Sequence, residues 1–264
     1  MSTVTYAVRD SATMLRRNLK HMARYPSQTL MLIGLPLLFL LLFVHVFGGT
    51  MGAGLTGAPA GDRDDYLTFI TPGILVMAVA SVSISTAVSV ATDMSGGIID
   101  RFRTMAIAKV SVLTGHVLGA MVQTALALAT VFGVAFWLGL ETAASAMQWL
   151  DLVGLLALLS FAMTWFTVAL GLASPNPEAA SNWPMIFIML PFVGSGFVPV
   201  ESMPTGLRWF AQYQPFTPII DALRGLLAGS PGGSNGVWAI GWCVLIGLVG
   251  YLWSRRLYRT RAAN

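Results

Sequence analysis

Residues Asp93 to Lys109 read DMSGGIIDRFRTMAIAK, a charged island between two apolar runs. Leu67 to Thr92 precedes it and Val110 to Leu138 follows it, and neither run holds a Lys, Arg, Asp or Glu. A charge near the centre of a bilayer costs several kcal/mol or more, so the island belongs in water or against protein. Ser95-Gly96-Gly97 interrupts the preceding helix, and Ile98 to Ala106 can restart a short one. It is too small for a domain, and its size suits a helical plug for a soluble partner.

Composition agrees with spans on either side. The chain is 56% hydrophobic and 10% charged, where a soluble domain carries about 25% charged residues. A soluble fold of 264 residues cannot bury that surplus, so the sequence describes an all-α integral membrane protein. Its net charge of +4 reflects Lys and Arg gathered on one side of a membrane rather than affinity for nucleic acid. The single cysteine, Cys243, excludes a disulfide framework and a cysteine metal site.

Outward from the island, the pattern predicts six spans, at about 28–48, 67–92, 110–138, 149–173, 183–198 and 236–253. The first is preceded by an amphipathic helix over 4–24. There Val4, Val8, Ala12, Leu15, Leu19 and Met22 recur at spacings of three and four, with Arg9, Arg16, Arg17, Lys20 and Arg24 largely on the other faces. Such a helix lies in the headgroup region with its basic side chains toward anionic lipid. A signal peptide is the alternative, but the apolar run Leu30 to Phe47 exceeds the roughly 7–15 residues of a signal h-region.

Several polar positions stand out within the apolar runs. Pro36 should kink the first span, and His45 sits near its outer end. Ser81, Ser85 and Ser89 repeat every four residues, which suits close helix packing or, alternatively, a pathway lining together with Phe192. Gln123 should bond a neighbouring helix. The fifth run is short and broken by Pro184 and Pro191.

Residues 201–229 are too polar to span and too apolar for an ordinary loop. Two short helices, about Pro204 to Gln212 and Pro218 to Leu227, would form a re-entrant or interfacial hairpin. Thr217 would cap the second, and Asp221 and Arg224, three apart, would pair on one face. Pro215 and Pro218 would leave backbone carbonyls free for Arg224 to hold.

With six spans, residues 1–26, 93–109, 174–182 and 254–264 share one side, and they hold twelve of the fifteen Lys and Arg. The positive-inside rule then makes both termini cytoplasmic. The sequence has no G-x-x-x-x-G-K-[ST] and so no P-loop for ATP. His21, His45 and His116 are scattered and make no metal motif, and Gly194-Ser195-Gly196 lacks the frame of a nucleophilic serine. The spans are read as lacking carboxylates throughout, so no proton relay is apparent. Catalytic, cofactor-binding and metal-ligating residues are therefore not assigned.

Two segments resemble a known family. Asp93-x3-Gly97-x3-Arg101-x-Arg103, followed by Gly115, is similar to the acidic–Gly–basic pattern between spans two and three of type-2 ABC exporter permeases of the daunorubicin-resistance type. Phe197-Val-Pro199, Met203-Pro204, Pro215-x-Thr217-Pro218 and Ala222-Leu223-Arg224 resemble that family's signature before the last span. Thr104 to Lys109 departs from relatives, which continue with a Leu-Pro-hydroxyl run. The resemblance implies a bacterial plasma-membrane permease subunit that moves hydrophobic drugs or lipid-like molecules outward. It implies a second permease copy, or a related one, and two cytoplasmic ATPase subunits that bind ATP and Mg. Asp93, Gly97, Arg101 and Arg103 would couple to those ATPases, and Pro215, Thr217, Pro218, Asp221 and Arg224 would build the outer hairpin. The alternative is a non-transporting membrane scaffold or immunity protein that docks a cytoplasmic partner.

Overall fold

The computed structural model describes residues 13, 15–18, 20, 22, 24, 26–56, 63–96, 109–230 and 233–260, and among them every regular element is helical. The long helices are α1 (Pro26–Leu42), which runs through a π turn (Phe43–Phe47) into α2 (Gly48–Thr56), α3 (Arg63–Ser95), α4 (Lys109–Trp137) and α5 (Ala146–Ala173). Short helices α6 (Pro177–Asn182), α7 (Ile186–Met189), α8 (Thr205–Tyr213) and α9 (Phe216–Leu227) precede the last long one, α10 (Gly233–Thr260). Five stretches, 29–53, 63–95, 113–137, 146–173 and 233–260, are long and apolar enough to cross a membrane.

The expected boundaries shift in informative ways. Between the first two expected spans, the Gly-rich stretch from Gly48 to Tyr66 is helical at both ends rather than a loop. Asp64 and Asp65 fall in the first turn of α3, where the helix dipole favours negative charge. The reading of carboxylate-free spans fails at Asp151, which lies in the first turns of α5 on an exposed position. The fifth expected span, 183–198, is not one helix. A 3-10 turn at Trp183–Met185 and the four-residue α7 give way to turns from Leu190 onward, because Pro184 and Pro191 each remove a backbone donor. The short helix expected at Ile98 to Ala106, with Gly97, Arg101 and Arg103, lies outside the described residues, as do 4–12, 14, 19, 21 and 23 of the expected 4–24 helix.

α3 is the axis of the bundle. Its 33 residues span about 50 Å, against a hydrocarbon core of about 30 Å. Leu67, Ile70, Ile74, Leu75 and Met77 are fully buried, and α1, α4, α5, α6 and α9 all pack on it. Its buried hydroxyls are satisfied within the helix: Thr71 donates to the Leu67 carbonyl at 2.7 Å, Ser81 to Met77 at 2.9 Å and Ser83 to Val79 at 2.8 Å. Such bonding lets small polar side chains be buried without an orphan donor.

Two close approaches set the path of the broken segment. A Cβ added at Gly171 on α5 would lie 2.5 Å from the Ala87 carbonyl, and one at Gly73 would lie 2.6 Å from the Gly196 carbonyl. Tyr66 donates to the Phe197 carbonyl at 3.4 Å. Between Gly171 and Phe197 the chain therefore travels from the level of Ala87 to that of Tyr66, about 31 Å along α3 at 1.5 Å per residue. The hairpin then dips back. Gln214 donates to the Leu190 carbonyl at 3.0 Å at its tip, and at the far end of α9 the Leu227 carbonyl accepts from Ala143 N at 3.1 Å and from the Thr142 hydroxyl at 2.8 Å.

Candidate functional site

Polar side chains gather at the two ends of α3. At the end that carries Tyr66 and Phe69, α9 presents Arg224 inward. Its Nη1 donates to Asp221 Oδ1 at 2.7 Å, Nε and Nη2 donate to the Phe69 carbonyl at 3.3 and 3.2 Å, and Nη2 also donates to the Ser195 carbonyl. The guanidinium carbon lies 4.0 Å over the Phe69 ring. Burial pulls the Arg224 pKa below that of a free guanidinium, and Asp221 opposes that shift. An arginine stays charged regardless.

Arg224 does hold main-chain carbonyls, but not those near Pro215 and Pro218. It reaches α3 and the turn at Ser195 instead. Pro72 belongs to the same stretch of α3, and its ring nitrogen cannot serve the Thr68 carbonyl one turn back. The hairpin helices also differ from expectation. α9 begins at Phe216, so Pro215 is its N-cap and Pro218 lies in its first turn. Thr217 is inside the helix and caps nothing; its hydroxyl donates to the Ala211 carbonyl at 2.5 Å and ties α9 back to α8.

Next to this anchor is a cluster of rings. Phe192 stacks on Phe197 with centroids 4.2 Å apart and planes 5° off parallel. Phe39 meets Phe192 edge-on at 5.3 Å, and Phe43, in the π turn, approaches Phe197 at 4.9 Å. Phe192 thus joins α1 to the turns that follow α7, and π turns inside helices recur at functional sites. In the same π turn, His45 lies 3.2 Å from an Arg63 nitrogen and is exposed.

At the other end of α3, Asp93 is turned inward and 6% exposed. Arg17 of the N-terminal helical residues donates Nη2 to its two oxygens at 2.9 and 2.6 Å, and His116 Nε2 on α4 lies 3.1 Å from Oδ2. Asn18 donates to the Gly115 carbonyl at 2.9 Å. Adjacent residues of the N-terminal segment therefore grip both helices that enter and leave the island. Asp93 is thereby separated from the exposed surface where a docking residue was expected. Gln123 donates to the Thr29 hydroxyl of α1 at 3.4 Å.

The serine stripe divides between environments. Ser81 is buried and bonded to its own helix, whereas Ser85 and Ser89 line a polar cleft of about 980 Å³ beside Asp93. They do not meet Phe192, which lies at the opposite end of α3. Phe69, Ser195, Arg17, His116 and Gln214 enter these sites without a motif to mark them. His116 alone carried a signal, as an imidazole in the apolar run on the far side of the island from Asp93.

Sequence comparison places these features. The model of the ABC-2 type transporter family matches residues 10–228, which include the N-terminal segment, the island and the hairpin. The chain is 31% identical over 263 residues to the daunorubicin resistance ABC transporter permease protein DrrB1 of Streptomyces coeruleorubidus, covering 98% of this chain and 89% of that protein. It is 23% identical over 240 residues, 88% of this chain and 84% of the relative, to the probable doxorubicin resistance ABC transporter permease protein DrrC of Mycobacterium tuberculosis, in strains CDC 1551 / Oshkosh and ATCC 25618 / H37Rv alike. With the family match over most of its length and an arginine-anchored hairpin beside a bundle of apolar helices, this chain belongs to the ABC-2 type transporter family, as a membrane-spanning permease subunit.

Proposed function

We propose that the chain exports hydrophobic drugs or lipid-like molecules across the bacterial plasma membrane, driven by two separate ATPase subunits that bind ATP and Mg. A second permease copy, or a related permease, completes the pathway. The observation that carries this reading is the family match that runs unbroken through the island and the hairpin, joined to relatives named for daunorubicin and doxorubicin resistance.

Both termini are cytoplasmic in this reading, and the chain crosses six times. Basic residues concentrate at both ends of the chain, which supports an even number of crossings. The broken stretch from Pro177 to Val198 supplies the sixth passage, and the travel of about 31 Å along α3 between Gly171 and Phe197, which contains most of it, supports that role. From Pro191 to Phe197 its irregular backbone is covered by α3 and by Phe39 and Phe43, the condition for such backbone at membrane depth, while Trp183, Met185, Ile186 and Met189 turn apolar side chains outward. The hairpin is re-entrant from the outside and, with Arg224 as its anchor, forms the outer gate.

The island 93–109 is the ATPase contact, through Gly97, Arg101 and Arg103, while Asp93 links it to the N-terminal segment. In proteoliposomes holding the chain with its ATPase subunit, daunorubicin should stimulate ATP hydrolysis and move across the membrane. Absence of both would overturn the reading. Arg101→Glu should abolish export and ATPase co-purification while the protein still inserts, and normal values for both would remove the docking role.

A further inference from the structure

We propose that the polar cleft between the N-terminal segment, α3 and α4 is a binding site for the phosphate headgroup of an anionic lipid. Two helical ladders face it. Arg16, Lys20 and Arg24, spaced by four, share one helix face, and all three line the cleft. Opposite them, Ser85 and Ser89 lie along one face of α3, with Thr92 below them donating its own hydroxyl to the Val88 carbonyl at 2.8 Å. Cations on one wall and hydroxyl donors on the other are the groups that bind phosphate oxygens.

Charge selects the ligand. Asp93 is the one carboxylate among the described lining residues, and Arg17 already neutralises it at 2.6 Å. The remaining basic side chains make the cleft hospitable to an anion and hostile to a cationic drug. Its volume, about 980 Å³, exceeds what a bare phosphate ion fills. Ser27 and Thr29 at the start of α1 complete the rim, and just beyond them Leu30 and Met31 are 68% and 81% exposed. An acyl chain leaving the cleft therefore continues onto apolar surface. A lipid bound there would fasten the basic ladder to α3, next to the grip of Arg17 on Asp93. This inference concerns a site in the membrane-facing protein and is independent of whether the chain exports a drug.

The test is lipid retention by the purified full-length chain, read by native mass spectrometry. Phosphatidylglycerol and phosphatidylcholine of matched acyl chains serve as probes. Phosphatidylglycerol should be retained about tenfold or more over phosphatidylcholine. Replacing Arg16, Lys20 and Arg24 together by Gln should bring phosphatidylglycerol retention down to that of phosphatidylcholine, a loss within the roughly hundredfold that three surface cations contribute toward anionic lipid. Arg16→Lys with Arg24→Lys should preserve it. Ser89→Phe, at an exposed position that the fold tolerates, fills the cleft without changing charge and should also abolish the preference. Equal retention of the two lipids would overturn the proposal. So would loss with the Gln variant but not with Ser89→Phe, which would mean diffuse surface attraction. Displacement of the lipid by millimolar inorganic phosphate would instead assign the cleft to a soluble phosphate and overturn the lipid.

Discussion

Replacing Arg224 by alanine strands Asp221 and withdraws the side-chain donor from two main-chain carbonyls in one step. The loss should be about 3 kcal/mol, since breaking a largely buried pair leaves an uncompensated charge. Asp221→Asn keeps the guanidinium on Phe69 and Ser195 and should lose only about 1 kcal/mol. Arg208 donates to the Glu201 carbonyl within the exposed start of the hairpin, so Arg208→Ala should stay under about 1 kcal/mol. Thermal unfolding and expression of the three variants rank them, and equal behaviour of Arg224→Ala and Arg208→Ala would remove the anchor. Gly73 faces a different constraint. Gly73→Leu drives a side chain into the Gly196 backbone, which cannot swing aside as a flexible side chain can. It should destabilise by about 1–3 kcal/mol through overpacking, whereas Gly49→Leu, with open space around its Cβ position, should be close to neutral.

At the scale of elements, the N-terminal segment and the hairpin can each be released separately. Asp93→Asn weakens the hold of Arg17, so trypsin should cut within residues 16–24 faster than in the unaltered chain. Unchanged cleavage would show that Asn18 and apolar contacts hold the segment by themselves. For the hairpin, cysteines at positions 216–226 in a Cys243→Ala background should react more slowly with a membrane-impermeant thiol reagent than a cysteine replacing Gly57, and equal rates would make it an ordinary loop. Long helices were legible in the sequence because each uncharged run of about twenty residues needs an internally bonded backbone in lipid. The pair Asp221–Arg224 was legible for a similar reason, a spacing of three on one helix. What escaped were partners far apart in the chain: Phe69 and Ser195 meet Arg224 through main-chain carbonyls, which carry no residue identity to read. Asp93 misled because charge alone places a residue off the hydrocarbon but does not say whether it faces water or another charge. The fifth span misled because apolarity measures where a segment sits, while Pro184 and Pro191 decide whether it can be a helix there.

For the whole molecule, reporter fusions at residues 1 and 264 should place both ends on the cytoplasmic side, and opposite sides would leave five crossings and return the Pro177 to Val198 stretch to one face. The two polar sites are also not independent parts. Phe69, which Arg224 grips, and Asp93, which Arg17 grips, are residues of a single uninterrupted helix, about 36 Å apart along its axis. Mechanically α3 is a push-rod with a clevis at either end. Between those two attachments it has one weak joint, at Pro72, and that joint lies within a turn of the outer clevis. In the proposed reading, in which the island meets the ATPase, a torque applied there would travel along α3 and be spent as a bend at Pro72, beside Phe69. Pro72→Ala should stiffen the joint, so ATP hydrolysis would continue while export falls.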